Sequence, residues 1–400
     1  MAIKCKLITL IIIAQIVKDK DISLAKAMHI YYGSDLAVKR VWHKGKRGMK
    51  MKKFKQLIPL ISLMVLLSVG GTAQGAKVNM KEIPFSAIEG VQVGNAQDDK
   101  AKTGVTVLCF PAGAKTGVDI SGGGPASRET PVLDPTKEDL GIHAVVLAGG
   151  SAYGLAAADG VMRCLEENGI GFDTGFARVP LVVQSDIYDL SYGSASVRPD
   201  SAMGYTACQR ALRKNEPVSG SVGAGTGATV GKLCGMRQSQ KSGIGYYAVQ
   251  LGDLKIGAVV VVNALGDVYA HGKKIAGLTN AQRTGFLDSA QELYRLAAPK
   301  DLLSRTNTTI GAVITNGAFD KAQLTRIAQQ TRNAYARAIR PVGTLADGDT
   351  IYASACGKLV PADINMVGTL AAEVMEKAIE NAVVASKMAD ADYLPHCLSY

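Results

Sequence analysis

Histidine is scarce in this chain and scattered. Beyond residue 75 only His143, His271 and His396 remain, and no Cys-x-x-Cys pair accompanies them. The ligand spacing of a zinc site is therefore missing. Excess positive charge is missing too, once the chain is divided. Residues 1–75 hold 14 of the 45 Lys and Arg but 3 of the 34 Asp and Glu, which leaves 31 of each in the other 325 residues. The formal net charge of +11 thus belongs to the N-terminal end. A nucleic-acid binder needs a concentrated basic footprint, and the body of the chain has none. No segment after residue 75 reads as an 18-residue apolar membrane span. Repeats and a long Pro/Ser linker are also lacking, so residues 76–400 are expected to form one domain.

The N-terminus has a readable plan. Met49-Lys50-Met51-Lys52-Lys53-Phe54-Lys55 is a positive segment, Leu57 to Val69 is a short apolar run, and Ala73-Gln74-Gly75 places small residues where a signal peptidase reads. This is the pattern of a secretory signal peptide over 49–75, cut before Ala76. Residues 1–48 precede it, either as a real extension or because the start is read too far upstream. Export to the periplasm or the extracellular space is the expectation. Six cysteines follow Ala76, namely Cys109, Cys164, Cys208, Cys234, Cys356 and Cys397. An oxidising compartment permits disulfides, but a domain of this size does not need them, and most are expected as small core residues.

Periodicity and turn signals give a succession of elements. Strands are expected at Gly104–Phe110, Thr116–Ile120, Gly141–Leu147, Val179–Gln184, Gly243–Gln250, Lys255–Asn263, Val268–Ala270, Thr308–Asn316 and Thr350–Cys356. Helices are expected at Ala156–Glu167, Pro199–Leu212, Asp288–Ala297, Lys321–Ala338 and Asn365–Ser386. Apolar runs divided by turns suggest stacked sheet layers with helices outside, an α/β (α+β) arrangement.

Three glycine-rich stretches interrupt the pattern. Ser121 to Thr130 is a polar glycine loop. Gly149-Gly150-Ser151-Ala152-Tyr153-Gly154 is a tight turn into a helix and resembles an anion cradle, because helix N-termini present free N–H groups. It lacks the Lys-Ser/Thr ending of a phosphate-binding loop and is no dinucleotide fingerprint. Ser221 to Gly231 must turn sharply or approach something closely.

The stretch Arg305-Thr306-Asn307-Thr308-Thr309-Ile310-Gly311 sets an Asn-Thr bond at the mouth of an apolar strand, after a polar loop over 299–307. If that bond breaks, Thr308 becomes an N-terminus whose hydroxyl sits beside its own amine. An α-amine has a reference pKa of about 8 and serves as a base near neutral pH. One residue then supplies nucleophile and base. The same residues also make an ordinary strand start.

Five motifs in order carry a resemblance: Gly124-Pro125-Ala126-Ser127-Arg128-Glu129-Thr130, Gly149 to Leu155, Gly223 to Ala228, Asn307 to Gly311, and Thr344-Leu345-Ala346-Asp347-Gly348-Asp349-Thr350. From about Ile83 to Cys356 the chain resembles the DmpA-type L-aminopeptidase/D-esterases, relatives of ornithine acetyltransferase. The resemblance implies a four-layer αββα sandwich and an inactive precursor that cuts itself before a Ser or Thr. Here that gives an α chain 76–307 and a β chain 308–400. It implies no cofactor, small peptides or amino-acid amides as substrates, and a homo-oligomer, a tetramer of αβ units.

Residue by residue, the nucleophile falls on Thr308 and the oxyanion-stabilising Asn on Asn263. Tyr188 or Tyr192 would be the assisting tyrosine. Gly150, Ser151 and Tyr153 would line the substrate pocket. Thr344, Asp347 and Asp349 stand where relatives carry a hydroxyl and a carboxylate, although the Ser-x-Glu pair of the better-known members is absent. Asp349 is expected to orient the threonine amine and Thr344 to relay a hydrogen bond. An aminopeptidase or amidase working through an acyl-enzyme is the reading. An acyltransferase of the ornithine acetyltransferase type and an exported binding protein without catalysis are the alternatives.

Overall fold

The computed structural model describes residues 79–295 and 307–398. The expected signal peptide, the extension before it and residues 299–306 of the expected cleavage loop lie outside the described residues.

Ten strands make one hydrogen-bonded sheet, nine of them along a continuous path and one, Gln92–Asp98, branching from it. In chain order they are β1 (Met80–Glu82), β2 (Gln92–Asp98), β3 (Thr103–Ile120), β4 (Ala126–Arg128), β5 (Ile142–Ala148), β6 (Val182–Asp186), β7 (Ile244–Leu251), β8 (Leu254–Asn263), β9 (Thr308–Gly317) and β10 (Thr350–Val360). The path folds into two layers because β3 belongs to both. Its first half pairs with β2 and β5, and its second half pairs with β10. Between them, at Cys109 to Ala114, the ladder to β5 loses register. Pro111, which has no N–H to give a ladder, lies in that break. The sequence reading divided this element into two strands at the same place. The chain instead stays extended and changes sheets.

One layer runs β1-β7-β8-β9-β10 to the second half of β3, and the other holds β2, the first half of β3, β5, β6 and β4. The α-helices α1 (Ala157–Glu167) and α2 (Ser201–Arg213) pack on the second layer, and α4 (Lys321–Ala338) and α5 (Ile364–Val384) pack on the first. A shorter α3 (Ser289–Arg295) falls in the expected helix of that region. This is the αββα sandwich.

Strand alternation explains the stacking. On β8, Ala258, Val260 and Val262 join the core under α4 and α5, while Val259 and Val261 join the core between the sheets. On β5, Val145 and Leu147 face the other sheet, while Ala144, Val146 and Ala148 face α1 and α2. Both faces of the central strands are therefore apolar, which is why they read as continuous hydrophobic runs. Each fully buried Val or Ile stabilises the fold by about 1.5–3 kcal/mol. Helix starts are encoded locally. Asp320 accepts from the Gln323 amide while the Gln323 side chain accepts from the Asp320 amide, a capping box on α4. Asp200 and Asp363 cap α2 and α5 through single carboxylates. Gly160 and Gly204 let α1 and α2 touch, since a Cβ on either would collide with the opposite helix's backbone at Ser201 or Ala157.

Candidate active site

The register of three strands assembles the site. β8 and β9 are antiparallel, and their register sets Asn263, the last residue of one, opposite Thr308, the first of the other. β9 and β10 are parallel, with Ile310 beside Thr350. That pairing lays Asp347-Gly348-Asp349 along Asn307-Thr308-Thr309, and an isolated bridge joins Asn307 to Asp347. The Thr309 amide donates to Asp349 Oδ1 at 2.6 Å. The Gly348 amide donates to the Asn307 carbonyl oxygen at 2.9 Å. The Thr308 hydroxyl donates to that same oxygen. Gly348 has no room for a side chain: a Cβ would lie 2.9 Å from Gly124 O and 3.1 Å from Thr308 Oγ1.

The first glycine loop closes over this segment. The amides of Ser121 and Gly122 donate to the Asp349 carbonyl at 3.0 and 3.1 Å, and Gly124 donates to the Asp347 carbonyl at 2.9 Å. Gly122 and Gly123 are required there, because a Cβ on the first would collide with the 347–349 backbone and one on the second with Leu345.

Two carboxylates and an ammonium are buried here. Asp347 Oδ2 accepts from the Thr344 amide at 2.9 Å and from the Thr344 hydroxyl at 2.6 Å. Thr344 therefore partners Asp347, and the turn runs from Thr344 to Asp347. Asp349 accepts from Thr309 and, at 3.0 Å, from Gly343. Burial and the neighbouring Asp347 charge push its carboxyl up to about 8, against the two amide donors. Lys232 is the ammonium. It donates to the Asn263 carbonyl at 2.8 Å, and burial lowers its pKa to about 7 despite the charges of Asp347 and Asp189. Sequence reading missed Lys232. Its one signal was a lone lysine between Val230-Gly231 and Leu233 at the end of a glycine stretch.

The Asn263 side chain is fully buried and its orientation is fixed from both ends. Oδ1 accepts from the Thr229 amide at 3.1 Å, and Nδ2 donates to the Tyr188 carbonyl at 2.9 Å. The third glycine stretch thus ends against the site, through Thr229. Tyr188 meets Asn263 with its carbonyl group. Tyr192 is directed elsewhere: its ring is buried, stacked on Tyr393 with centroids 5.1 Å apart.

The glycine turn that resembles an anion cradle does hold an anion, supplied by the chain itself. The Gly150 amide donates to Asp189 Oδ1 at 2.7 Å, and the Thr103 hydroxyl donates to Oδ2 at 2.6 Å. Gly149 and Gly227 both crowd that carboxyl, where a Cβ would collide with it. Burial raises Asp189 to about 6, while Thr103, Gly150 and the Lys232 charge pull it down. Ser151 spends its amide on the Ile187 carbonyl at 2.9 Å. Gly150 and Ser151 therefore brace the segment leading to Tyr188. Tyr153 is 61% exposed, with the Arg198 guanidinium 3.7 Å over its ring.

The six cysteines among the described residues are free thiols. Cys109, Cys164, Cys208 and Cys356 are core residues, Cys234 is exposed and Cys397 is half-buried. Among the described residues no helix is long and apolar enough to cross a membrane.

Comparison with known proteins gives the family. A family model described as Peptidase family S58 matches residues 86–393. An uncharacterized aminopeptidase of Mycobacterium leprae is 38% identical over 331 residues, covering 75% of this chain and 90% of the relative. A 6-aminohexanoate-oligomer endohydrolase of Kocuria sp. is 36% identical over 307 residues, covering 72% and 83%. Among solved structures, the fold is similar to that of the L-aminopeptidase D-Ala-esterase/amidase from Ochrobactrum anthropi, described as a variant of the Ntn hydrolase fold. That match has a TM-score of 0.54 at 19% identity over 75% of this chain and 85% of the other. A Burkholderia sp. beta-aminopeptidase gives a TM-score of 0.53 at 22% identity, covering 75% and 85%. The match over most of the chain, with the sandwich fold, makes this protein a member of peptidase family S58 and a hydrolase of peptide and amide bonds.

Proposed function

We propose that Thr308 is the nucleophile of an N-terminal-threonine aminopeptidase that first frees itself from its precursor. One observation carries the reading. The Thr308 hydroxyl and the Gly348 amide both meet the carbonyl oxygen of the Asn307–Thr308 bond. The hydroxyl is thus held against the carbonyl group it must attack, and the amide is aimed at the oxygen where negative charge develops. Attack by Oγ on the Asn307 carbonyl carbon forms a C–O bond and breaks the C–N bond, the hydroxyl proton passing to the departing nitrogen, which leaves Asn307 as an ester on Thr308 with the α-amine free. Water hydrolyses that ester, giving a chain ending at Asn307 and another starting at Thr308.

Turnover repeats the chemistry on substrate. Thr308 Oγ attacks the amide or ester carbonyl, its proton passes to the Thr308 amine and then to the leaving amine, and water releases the acyl group. Asn263, held opposite Thr308, supplies the amide that stabilises the oxyanion. Asp349 orients the new N-terminus from its place beside Thr309, and Thr344 fixes Asp347 beside it. Lys232 balances the carboxylate charge. Substrates are short peptides, amino-acid amides or esters with a free amine. The 6-aminohexanoate-oligomer relative supports the inclusion of linear amides. The basic and apolar plan of residues 49–75 supports export, and a homo-oligomer of αβ units belongs to the same proposal.

The test is intact mass and N-terminal sequencing of the purified protein, followed by a screen of aminoacyl amides. A fragment beginning at Thr308, together with amidase activity, is the expected result. A folded chain uncut at Asn307–Thr308 would overturn the reading.

A further inference from the structure

Residues 188–193 hold no regular strand or helix, yet Tyr188 supplies the carbonyl that fixes Asn263. Asp189 anchors the first part of this loop in the glycine turn. The second part is held by the end of the described chain. The Gly193 amide donates to the His396 carbonyl at 2.7 Å, and the Leu398 amide donates to the Ser191 carbonyl at 3.0 Å. Tyr192 forms a bridge with Cys397 between these two bonds.

Side chains reinforce the backbone clasp. The Tyr192 ring stacks on Tyr393 and meets His396 edge-on with centroids 5.7 Å apart. The Tyr393 hydroxyl bonds Ser239 Oγ at 2.5 Å, and Arg283 ties the same region to Asp390 at 2.7 Å. Lys241, buried beside the Tyr192 ring at 5.8 Å, donates to the carbonyls of Gly225 and Ala228 at 3.0 and 2.9 Å. Those residues lead into Thr229, whose amide fixes the other end of Asn263. Both hydrogen bonds that orient Asn263 therefore trace back to elements that meet at Tyr192.

We propose that the C-terminal segment Asp390–Leu398 is a positioning strap for the oxyanion-stabilising Asn263, acting through Tyr192 and the 188–193 loop. The proposal rests on the Thr308 mechanism above. Under that mechanism the strap lies in the chain that begins at Thr308, and the loop it clasps lies in the chain that ends at Asn307. Cleavage turns an internal contact into a clamp between two chains.

The test uses the full-length, self-cleaved enzyme beside three variants: a stop after Ala389, Tyr393→Leu and Tyr393→Phe. Functional sites are counted by the burst from an amino-acid p-nitrophenyl ester, and kcat per site and KM are measured separately on an amino-acid p-nitroanilide. A misplaced oxyanion donor is expected to lower kcat per site by roughly ten- to a hundredfold in the truncated enzyme, with KM changed by less than about threefold. Tyr393→Leu should show a smaller loss of the same kind, and Tyr393→Phe, which keeps the stack, should stay close to wild type. A peptide spanning 389–400 added in trans should restore kcat. A merely structural strap would lower the number of functional sites while leaving kcat per site unchanged, and that outcome overturns the proposal. If the truncated chain does not fold, Tyr393→Leu decides by the same two readouts. Failure of the underlying mechanism would look different, because the wild-type control itself would show no burst and no Thr308 terminus.

Discussion

Asn263 and Thr308 face each other across one antiparallel pair, the end of one strand against the start of the next. The Asn263 amide nitrogen is aimed at the Tyr188 carbonyl, while the carbonyl of the Asn307–Thr308 bond already has its own donor in Gly348. On the proposed mechanism, self-cleavage and turnover therefore lean on different donors. Asn263→Ala is expected to lower kcat by about 10²–10³-fold, the usual loss for one oxyanion donor. Cleavage at Asn307–Thr308 should still go to completion. Mass spectrometry and steady-state kinetics on one preparation read both. An Asn263→Ala protein that stays uncut would show a single shared donor set.

The proposed mechanism gives Thr308 both tasks, so its replacement should abolish both. Thr308→Ala is expected to give one uncut chain with no amidase activity. Thr308→Ser keeps a hydroxyl beside the Asn307 carbonyl and should still cut itself, at a different rate. A Thr308→Ala protein that yields fragments ending at Asn307 would place the cutting agent elsewhere.

The layers were legible in the sequence, and the candidate nucleophile was proposed from it, because both rest on local signals. Val259 to Val262 and Ile310 to Ile314 are apolar on both faces, and Asp320 with Gln323 announces a helix start. The Asn307–Thr308 bond is visible as a polar residue at a strand mouth. The passage of β3 between sheets was not visible, since Pro111 and Gly113 read equally well as a turn between two strands. The surroundings of the site depend on contacts between residues far apart in sequence. Asp189 filling the glycine turn, Lys232 under Asn263 and the parallel bridge of Asn307 to Asp347 exist only once the strands are in register. Tyr188 was named from a family position, and only the fold shows that its carbonyl meets Asn263.

Lys232 gives a third test. Its ammonium is buried, bonded to the Asn263 carbonyl, and faced by the charges of Asp347 and Asp189. Removing it leaves buried carboxylates without a counter-charge, which typically costs about 3–5 kcal/mol. Lys232→Met, made in the uncut Thr308→Ala chain so that cleavage does not complicate unfolding, is expected to lose stability on that scale in urea. Its self-cleavage in the Thr308 background should slow as well. Equal urea midpoints with and without Lys232 would assign the carboxylates a different partner.

Asp349 makes the site sensitive to pH in a stated direction. Its carboxyl is pushed up from 3.8 to about 8 by burial and by Asp347. In the folded precursor it is therefore mostly neutral at pH 6 and mostly ionised at pH 9. Only the ionised form draws on the Thr308 segment as a pure acceptor, so self-cleavage should accelerate as pH rises toward about 8 and level off above it. Stability should move the opposite way. A carboxyl whose folded pKa is raised contributes stability that is full below its unfolded pKa of about 4 and is lost as pH rises through its folded pKa. Depressed lysines such as Lys232 add the reverse trend near pH 7. The comparison is therefore a difference, between Thr308→Ala and Thr308→Ala/Asp349→Asn, measured in urea from pH 4 to 9. The Asp349→Asn chain should gain on its parent as pH rises across that window. A constant difference, together with a self-cleavage rate flat from pH 6 to 9, would show that Asp349 is already ionised throughout and that the two amides of Thr309 and Gly343 outweigh its burial.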